Sequence, residues 1–319
     1  MSTIGFITSK KEKLKYYFPS PAEPDLFPIE PPFTPDDQMV VDYLRNKNIE
    51  VEPVIWGDED FPKLKKYKLV IMRSPWDYMD NMENRRRFPL WVKSLLKHKV
   101  TVENSVPFMS WLMDKKYLKD ILKQGVPIID TLITNKTEKF NLSELFLQKG
   151  PLVIKPCISA AGVGLHFIQN KNEAESMQTT FNELFKKEEH LIQPLIEDIK
   201  VHGEWSLIFI NGKYSHSIHK LPKQGSILIH TERGGSIHFK DAPEVLLEHA
   251  SNSYEKIMKA FRQKIDNSNG YQPLYLRCDY IQSGNNFLLS ECEGVEPELF
   301  FRAKKGSEKV FGDAVLERI

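Results

Sequence analysis

The stretch from Leu274 to Glu298 restricts what this chain can fold into more than any other part of it. Two runs of alternating side chains flank the sequence SGNN, and this pattern predicts two β-strands joined by a turn. With the turn centred on its first asparagine, Asp279 lies opposite Glu291. Arg277 then lies opposite Glu293, and all four side chains share one face because side chains repeat every two residues along a strand. The other face carries Leu276, Cys278, Ser290 and Cys292.

The opposed acids of this hairpin need a counter-charge, because two facing carboxylates repel each other unless a cation lies between them. Oxygen ligands suit Mg²⁺, which usually binds one or two protein carboxylates and completes its shell with phosphate oxygens and water. The hairpin is therefore either an exposed ribbon with an Arg–Glu pair or a platform for magnesium and a nucleotide. A register shift of one residue would remove the second alternative.

Length and composition exclude several classes of protein. The 319 residues can form two or three lobes, and a net charge of +1 argues against nucleic acid as a partner. The sequence has no apolar run of about eighteen residues and no signal-peptide core at its start, so we expect no membrane span. Three cysteines without metal-ligand spacing fit reduced thiols in the cytoplasm.

The order of predicted elements divides the chain into three parts. Alternating strands and helices in residues 1–110 predict a small, largely parallel α/β sheet. A helix with the sequence DKKYLKDILKQG opens a second lobe, which we expect at 111–195, with strands at Val126-Pro127, PLVIKP, LHFIQN and HLIQPLI. The third lobe, 196–319, begins with two alternating runs joined by Asn-Gly, the strongest short hairpin signal.

A proline-rich segment, Phe18–Pro35, contains seven prolines and cannot form regular structure. It is either a surface excursion between the first strand and the first helix or a polyproline ligand for a partner.

Three irregular segments could bind a ligand. The loop Ile158–Gly164 lies between two strands, and its small residues let backbone N–H groups approach phosphate; alternatively it is a tight turn beside a lysine. The segment Gln193–Ile196 is either a hinge whose backbone meets adenine or a plain linker. Ser74–Tyr78, with the sequence SPWDY, follows a strand end where α/β folds bind ligands, although its aromatic residues could equally be core.

Four basic residues stand at the ends of predicted elements: Lys115, Lys155, Lys220 and Arg277. A single basic residue at such a position does not indicate a binding site. Four of them, together with a small-residue loop and an acidic hairpin, provide what a triphosphate and Mg²⁺ require.

The ordered segments DKKYL, VIKPCISAAGVG, LIQPLI, EWSLIF, LRCDY and LSECEGVEP resemble the ATP-grasp superfamily from about Asp114 to Phe301. The similarity is to the glutathione-synthetase-like branch, which includes the cyclo-ligase of D-cycloserine biosynthesis. The resemblance implies mixed α/β and α+β classes, namely an ATP-grasp fold preceded by a pre-ATP-grasp α/β domain. In its terms, 1–110 is that domain, 111–195 is the small lid subdomain with a linker helix, and 196–319 is the large subdomain.

The resemblance also implies roles for individual residues. Phosphate or adenine would contact Lys115 and Lys155, and the phosphates would lie under the loop residues Ser159, Ala160, Ala161 and Gly162. Adenine would meet Gln193, Leu195 and Ile196, with Glu204 near the ribose or the metal. Lys220 and Arg277 would hold the γ-phosphate, and Asp279, Glu291 and Glu293 would bind two Mg²⁺ ions. Substrate specificity would lie in Arg73, Trp76, Asp77 and Tyr78, in the proline-rich segment and in the Leu221–Gly235 loop.

The chemistry implied is that of an ATP- and Mg²⁺-dependent ligase, with Mn²⁺ as an alternative ion. Such an enzyme activates a small carboxylate, of an amino-acid or peptide-like kind, as an acyl phosphate that an amine attacks. The alternatives are an ATP-grasp phosphotransferase and a non-catalytic nucleotide-binding protein that works through a partner. We also expect a homodimer.

The sequence departs from the family pattern in three places. Glu293 replaces a common asparagine, and Ala160-Ala161 replaces a more glycine-rich loop. An arginine often found near Ser226–Leu228 is absent, and we expect Arg233 to replace it as a catalytic residue.

Overall fold

A computed structural model of the chain describes residues 2–10, 32–159, 162–229, 234–266, 268 and 270–319. Most of the proline-rich segment therefore lies outside the described residues. The strands are β1 (Ser2–Thr8), β2 (Ile49–Ile55), β3 (Leu69–Ser74), β4 (Val102–Glu103), β5 (Leu132–Ile133), β6 (Leu152–Pro156), β7 (His166–Ile168), β8 (His190–Pro194), β9 (Glu204–Ile210), β10 (Lys213–Leu221), β11 (Ser236–Phe239), β12 (Tyr275–Ser283) and β13 (Asn286–Glu293). The α-helices are α1 (Pro35–Arg45), α2 (Phe61–Leu64), α3 (Met82–Lys97), α4 (Val106–Met113), α5 (Tyr117–Lys123), α6 (Leu142–Lys149), α7 (Lys171–Lys187), α8 (Ile199–His202), α9 (Glu244–Lys264) and α10 (Ser307–Leu316), and 3₁₀ turns lie at Trp76–Met79 and Phe301–Ala303. No described helix is long and apolar enough to cross a membrane.

The first sheet has the strand order β2-β1-β3-β4, and every pairing in it is parallel. The predicted parallel α/β sheet is therefore confirmed. Helix α1 begins where the side chain of Thr34 accepts a hydrogen bond from the Asp37 N–H, with Pro35 at the first helical position. The carboxyl end of β3 leads into the Trp76–Met79 turn, which brings that turn to the edge of the sheet.

The second sheet, β5-β8-β6-β7, is antiparallel and packs on α6 and α7. The strand predicted to begin at Val126-Pro127 begins later, at Leu132 of β5. Before it, Ile128 makes an isolated parallel bridge with Leu289 of β13.

The third sheet has the order β11-β10-β9-β12-β13 and is antiparallel throughout. Asn211 and Gly212 join β9 to β10 with φ angles of 48° and 77°. Both values are positive, as a type I′ hairpin turn requires, so the Asn-Gly prediction is confirmed.

The acidic hairpin has the predicted pairing at its four charged residues. Asp279 pairs with Glu291, and Arg277 pairs with Glu293. Nearer the turn the register moves by one residue, so that Ser283 pairs with Asn286. A bulge at Ser290 absorbs this difference. Ser290 consequently lines the same cavity as Glu291, whereas the sequence placed it on the opposite face.

Polar contacts join the first sheet to this hairpin. Asn104 is fully buried, and its Nδ2 donates hydrogen bonds of 2.8 Å to the carbonyl oxygens of Tyr275 and Gly294. The Tyr275 hydroxyl donates to the carbonyl oxygens of Met72 and Val295. The chain that follows β13 is thus fixed against the N-terminal sheet.

Candidate active site

A cavity of about 340 Å³ lies between the second and third sheets. It is lined by most of the residues that the sequence singled out, namely Trp76, Lys115, Lys155, Ser159, Gly162, Gln193, Leu195, Ile196, Glu204, Lys220, Arg277, Asp279, Glu291 and Glu293. Tyr78 lines a smaller adjoining cavity. Ala160, Ala161 and Arg233 lie outside the described residues.

Arg277 lies at the centre of the acidic hairpin and pairs with two of its carboxylates. Its guanidinium is 2.9 Å from Oδ2 of Asp279 and 2.5 Å from Oε1 of Glu293. Ser206 on the neighbouring strand β9 donates a 2.5 Å hydrogen bond to Oδ1 of Asp279. Burial alone would raise the pKa of Asp279, but Arg277 and then Lys220 outweigh it and hold that pKa at about 2. Asp279 is therefore ionised across the neutral range.

Glu293 has the opposite electrostatic balance. Burial raises its pKa to about 8, and the carboxylates of Asp279 and Glu291 add to this effect against the attraction of Arg277. A group in this position favours an added proton or metal cation, since either one relieves the repulsion among the three acids.

This balance predicts a pH-dependent stability of the ligand-free protein. Between the reference pKa of 4.5 and the folded value of about 8, the folded state binds more protons than the unfolded state, so the free energy of unfolding falls as pH rises. Glu293→Gln should therefore stabilise the protein at pH 9, by roughly 1–2 kcal/mol because the side chain is partly solvated and screened. The gain should shrink as the pH falls and disappear below pH 4.5, where Glu293 becomes protonated in both states.

Unfolding by denaturant at pH 5 and pH 9 measures this effect. Glu255→Gln, on an exposed position of α9, is the matched control and should change stability equally little at both pH values. A gain for Glu293→Gln of the same size at both pH values would contradict the pKa assignment.

Two lysines converge on Glu291. The Lys115 ammonium is 2.9 Å from Oε1 of Glu291, and the Lys155 ammonium is 3.8 Å from Oε2. Burial opposes the ionised form of Glu291, but Lys115 and Lys155 lower its pKa. Burial lowers the pKa of Lys155, and the neighbouring Lys115 acts in the same direction. The Lys115 ammonium also donates to the Ser159 carbonyl oxygen, which ties it to the loop after β6.

Lys220 and Glu204 form a further pair, 3.1 Å apart, on the facing strands β10 and β9. Burial raises the pKa of Glu204 to about 7, and Lys220 acts against that rise. Glu204, Asp279, Glu291 and Glu293 are thus each paired with a basic side chain of the cavity.

The other end of the cavity is apolar. Leu195 and Ile196 pack with the buried side chains of Ile129 and Ile281. Gln193 donates a hydrogen bond of 2.8 Å from Nε2 to the Thr131 hydroxyl. A flat apolar ring such as adenine fits such a surface. Ile129 and Ile281 were missed from the sequence, because single isoleucines in strands or linkers carry no functional signal.

The oxygen-only donor set of the hairpin suits Mg²⁺ or Mn²⁺. Each acid, however, pairs with a basic side chain, and the part of the chain that the structure describes contains no group of three His, Cys, Asp or Glu spaced for a metal ion. As their side chains stand, Asp279, Glu291 and Glu293 therefore do not form a metal site, because Lys115 and Arg277 pair with their oxygens.

The four residues of the SPWDY region separate into two pairs. Arg73 is 2% exposed and forms a 2.7 Å ion pair with Asp37, away from the cavity. Asp77 is likewise buried, where it accepts a hydrogen bond from the Trp56 indole N–H. Trp76 and Tyr78 do reach the cavities, and both contact Glu296, which the sequence did not single out.

The three sheets, with a cavity that combines paired cations, opposed acids and an apolar end, have the architecture of the ATP-grasp fold. Residues 117–256 match the family profile described as the prokaryotic glutathione synthetase ATP-grasp domain. Residues 21–104 match the profile of the N-terminal domain of D-cycloserine synthetase DcsG. The resemblance to the glutathione-synthetase-like branch is confirmed.

Two curated proteins are similar to this chain. It is 28% identical over 195 residues to the cycloserine biosynthesis protein DcsG of Streptomyces lavendulae, covering 59% of this chain and 63% of DcsG. It is 42% identical over 69 residues to D-alanine–D-alanine ligase A of Bacillus cereus, covering 21% of this chain and 23% of the ligase. The chain thus spans less than two thirds of the length of each of these relatives.

Solved structures agree on the architecture. The crystal structure of D-cycloserine synthetase DcsG superposes with a TM-score of 0.78 at 22% identity over 99% of both chains. D-alanine–D-alanine ligase from Bacillus anthracis superposes with a TM-score of 0.67 at 17% identity, covering 100% of this chain and 97% of the ligase. The predicted fold, an ATP-grasp fold with an N-terminal α/β domain, is confirmed.

Proposed function

We propose that this protein is an ATP- and Mg²⁺-dependent ligase that joins a small carboxylate to an amine through an acyl phosphate. One observation carries the proposal: the opposed carboxylates of Asp279 and Glu291 lie in one cavity with the side chains of Lys115, Lys155, Lys220 and Arg277. An ordinary exposed ribbon would need none of those cations around it.

The charge pairs suggest how the site receives its nucleotide. When a triphosphate enters, Lys115, Lys155 and Arg277 exchange a carboxylate partner for phosphate oxygens. Asp279, Glu291 and Glu293 would then be free to hold Mg²⁺, which would neutralise phosphate charge when bound.

The reaction has two transfers. A carboxylate oxygen of the substrate attacks the γ-phosphorus, and the bond from that phosphorus to the ADP oxygen breaks. The amine then attacks the acyl carbon, phosphate leaves, and the amine nitrogen loses a proton. Lys220 and Arg277 are suited to stabilise charge on the transferring phosphoryl group, because both are cations at one end of the cavity. Gly162 and Ser159 belong to a loop that could cover the acyl phosphate and exclude water.

The substrate proposed is a small amino acid or a derivative of one. The relatives are named for D-alanine and for cycloserine, and a cavity of about 340 Å³ must also hold part of ATP. The three sheets support the division of the chain at 1–110, 111–195 and 196–319. A homodimer, a cytoplasmic location and the absence of a nucleic-acid partner stay predictions, as does a role for Arg233.

A screen of D- and L-amino acids for ADP formation, followed by mass analysis of the product, tests the proposal. The expected product has the summed mass of its two parts less one water, and one ADP forms for each product molecule. A phosphorylated product would instead identify a phosphotransferase. Binding of MgATP without any stimulated ADP formation would favour a non-catalytic nucleotide-binding protein.

A further inference from the structure

The segment Gly294–Glu298, which follows the acidic hairpin, forms the wall of the cleft on the side of the N-terminal sheet. Glu296 lies in this wall and lines both the main cavity and a smaller adjoining one of about 50 Å³. Lys115, Ser159, Glu291 and Glu293 also line both cavities. Glu296 therefore faces space that is continuous with the place where a phosphoryl group would be transferred.

The position of Glu296 is fixed by the N-terminal domain. The Trp76 indole N–H donates a 2.8 Å hydrogen bond to its backbone carbonyl, and the Tyr78 hydroxyl donates a 2.5 Å hydrogen bond to its Oε1. The adjacent Val295 carbonyl accepts from the Tyr275 hydroxyl at 2.8 Å. Two of these bonds fix the backbone at Glu296 and Val295, and the third fixes one oxygen of the Glu296 carboxylate, so the side chain has a defined position.

Glu296 differs from the acids on either side of it. Glu293 pairs with Arg277, and Glu298 lies 2.5 Å from Arg302. Burial raises the pKa of Glu296, and the charges of Lys115 and Arg277 act against that rise without a direct ion pair. Within the described ranges, no lysine or arginine forms an ion pair with Glu296. Since a half-buried carboxylate without a direct ion pair can still gain from one, a cation in the adjoining space would be stabilised there.

The surroundings of Glu296 limit what that cation can be. Trp76 and Met79 supply apolar wall to the main cavity, and the adjoining cavity of about 50 Å³ has no room for a large charged group. A primary ammonium has three donors and is compact, and it could bond the carboxylate oxygen that Tyr78 leaves open.

We propose that Glu296 binds the ammonium group of an amino-acid substrate and, with the apolar wall around it, selects substrates that carry this group. The assignment rests on the proposed ligase function and adds a specificity-determining residue to it. Tyr78 acts as a positioning residue, because it holds one oxygen of the Glu296 carboxylate and leaves the other for the substrate.

The test compares the D- and L-forms of the common amino acids with their des-amino acids, such as alanine with propanoate and serine with 3-hydroxypropanoate. Wild-type protein should form ADP with at least one amino acid, and its des-amino counterpart should have a KM at least about tenfold higher. Glu296→Gln should raise the KM for that amino acid about 10- to 100-fold and leave the KM for ATP within about twofold. The KM for the des-amino acid should not rise, because it lacks the ammonium.

Two further variants separate charge from shape. Tyr78→Phe keeps the Glu296 carboxylate and should raise the amino-acid KM less than about fivefold, while Glu255→Gln on exposed α9 should match the wild type. A rise for Tyr78→Phe as large as that for Glu296→Gln would assign the effect to the Tyr78 hydroxyl and not to the Glu296 charge, which would overturn the proposal. Equal KM values for alanine and propanoate in the wild type would overturn it as well. If no acid stimulates ADP formation by the wild type, the proposed ligase function itself fails, and the assignment falls with it.

Discussion

Asp279→Asn and Glu291→Gln are each expected to reduce ADP formation about a thousandfold. Each removes the charge of a carboxylate that we propose holds Mg²⁺, and the ion in turn would neutralise the transferring phosphoryl group. Both substitutions keep the shape of the side chain and remove only its charge. The rate of ADP formation at saturating ATP and acid measures the effect.

The fold should survive these substitutions, although Asp279→Asn leaves Arg277 with one full carboxylate partner in place of two. Circular dichroism and the unfolding midpoint separate a lost fold from a lost site. Glu255→Gln is again the matched control. Undiminished ADP formation by both site variants would contradict the assignment of the hairpin to metal and phosphate.

Arg73→Met is expected to destabilise the protein by about 3–5 kcal/mol, because it leaves Asp37 as an unpaired buried charge. The two side chains are 2% and 1% exposed, and the Arg73 guanidinium also lies 5.2 Å from the ring centroid of Tyr275 on strand β12. The ion pair thus joins the first sheet to the acidic hairpin through Tyr275. The fraction of the Arg73→Met variant that stays folded should have the wild-type KM, since the Arg73 side chain does not line the cavity.

A matched pair on the surface gives the control. Arg45 and Glu50 are 3.2 Å apart but 44% and 48% exposed, so Arg45→Met should cost no more than about 1 kcal/mol. The measurement is unfolding by denaturant for both variants. The sequence hypothesis that Arg73 binds substrate would be supported instead if Arg73→Met raised KM while leaving stability unchanged.

The pairing of the acidic hairpin could be predicted from the sequence, and its bulge could not. Alternation and a turn signal act over neighbouring residues, so they suffice to place Asp279 opposite Glu291. The bulge at Ser290 adjoins Leu289, whose N–H donates to the Pro127 carbonyl and whose carbonyl accepts from Ile129. Pro127 and Ile129 lie about 160 residues before Leu289, so the sequence around the hairpin cannot predict these contacts or the bulge.

Some residues of the candidate site could likewise be predicted from the sequence, and others could not. Lys115, Lys155, Lys220 and Arg277 stand at element ends beside recognisable segments, and the structure brings all four into one cavity. Glu296 and Ser206 were missed because a lone acid after a strand and a lone serine within one look like ordinary surface and core. The SPWDY motif was ambiguous because its side chains alternate in direction, so that Trp76 and Tyr78 reach the cleft while Asp77 packs behind them.

The central claim is that a carboxylate is activated as an acyl phosphate, and isotope transfer tests it most directly. An amino acid that stimulates ADP formation is supplied with ¹⁸O in its carboxylate, and the released phosphate is analysed by mass spectrometry. Attack of the carboxylate oxygen on the γ-phosphorus predicts one ¹⁸O atom in each phosphate, with ADP as the nucleotide product. Phosphate without ¹⁸O, or formation of AMP and pyrophosphate, would contradict the mechanism.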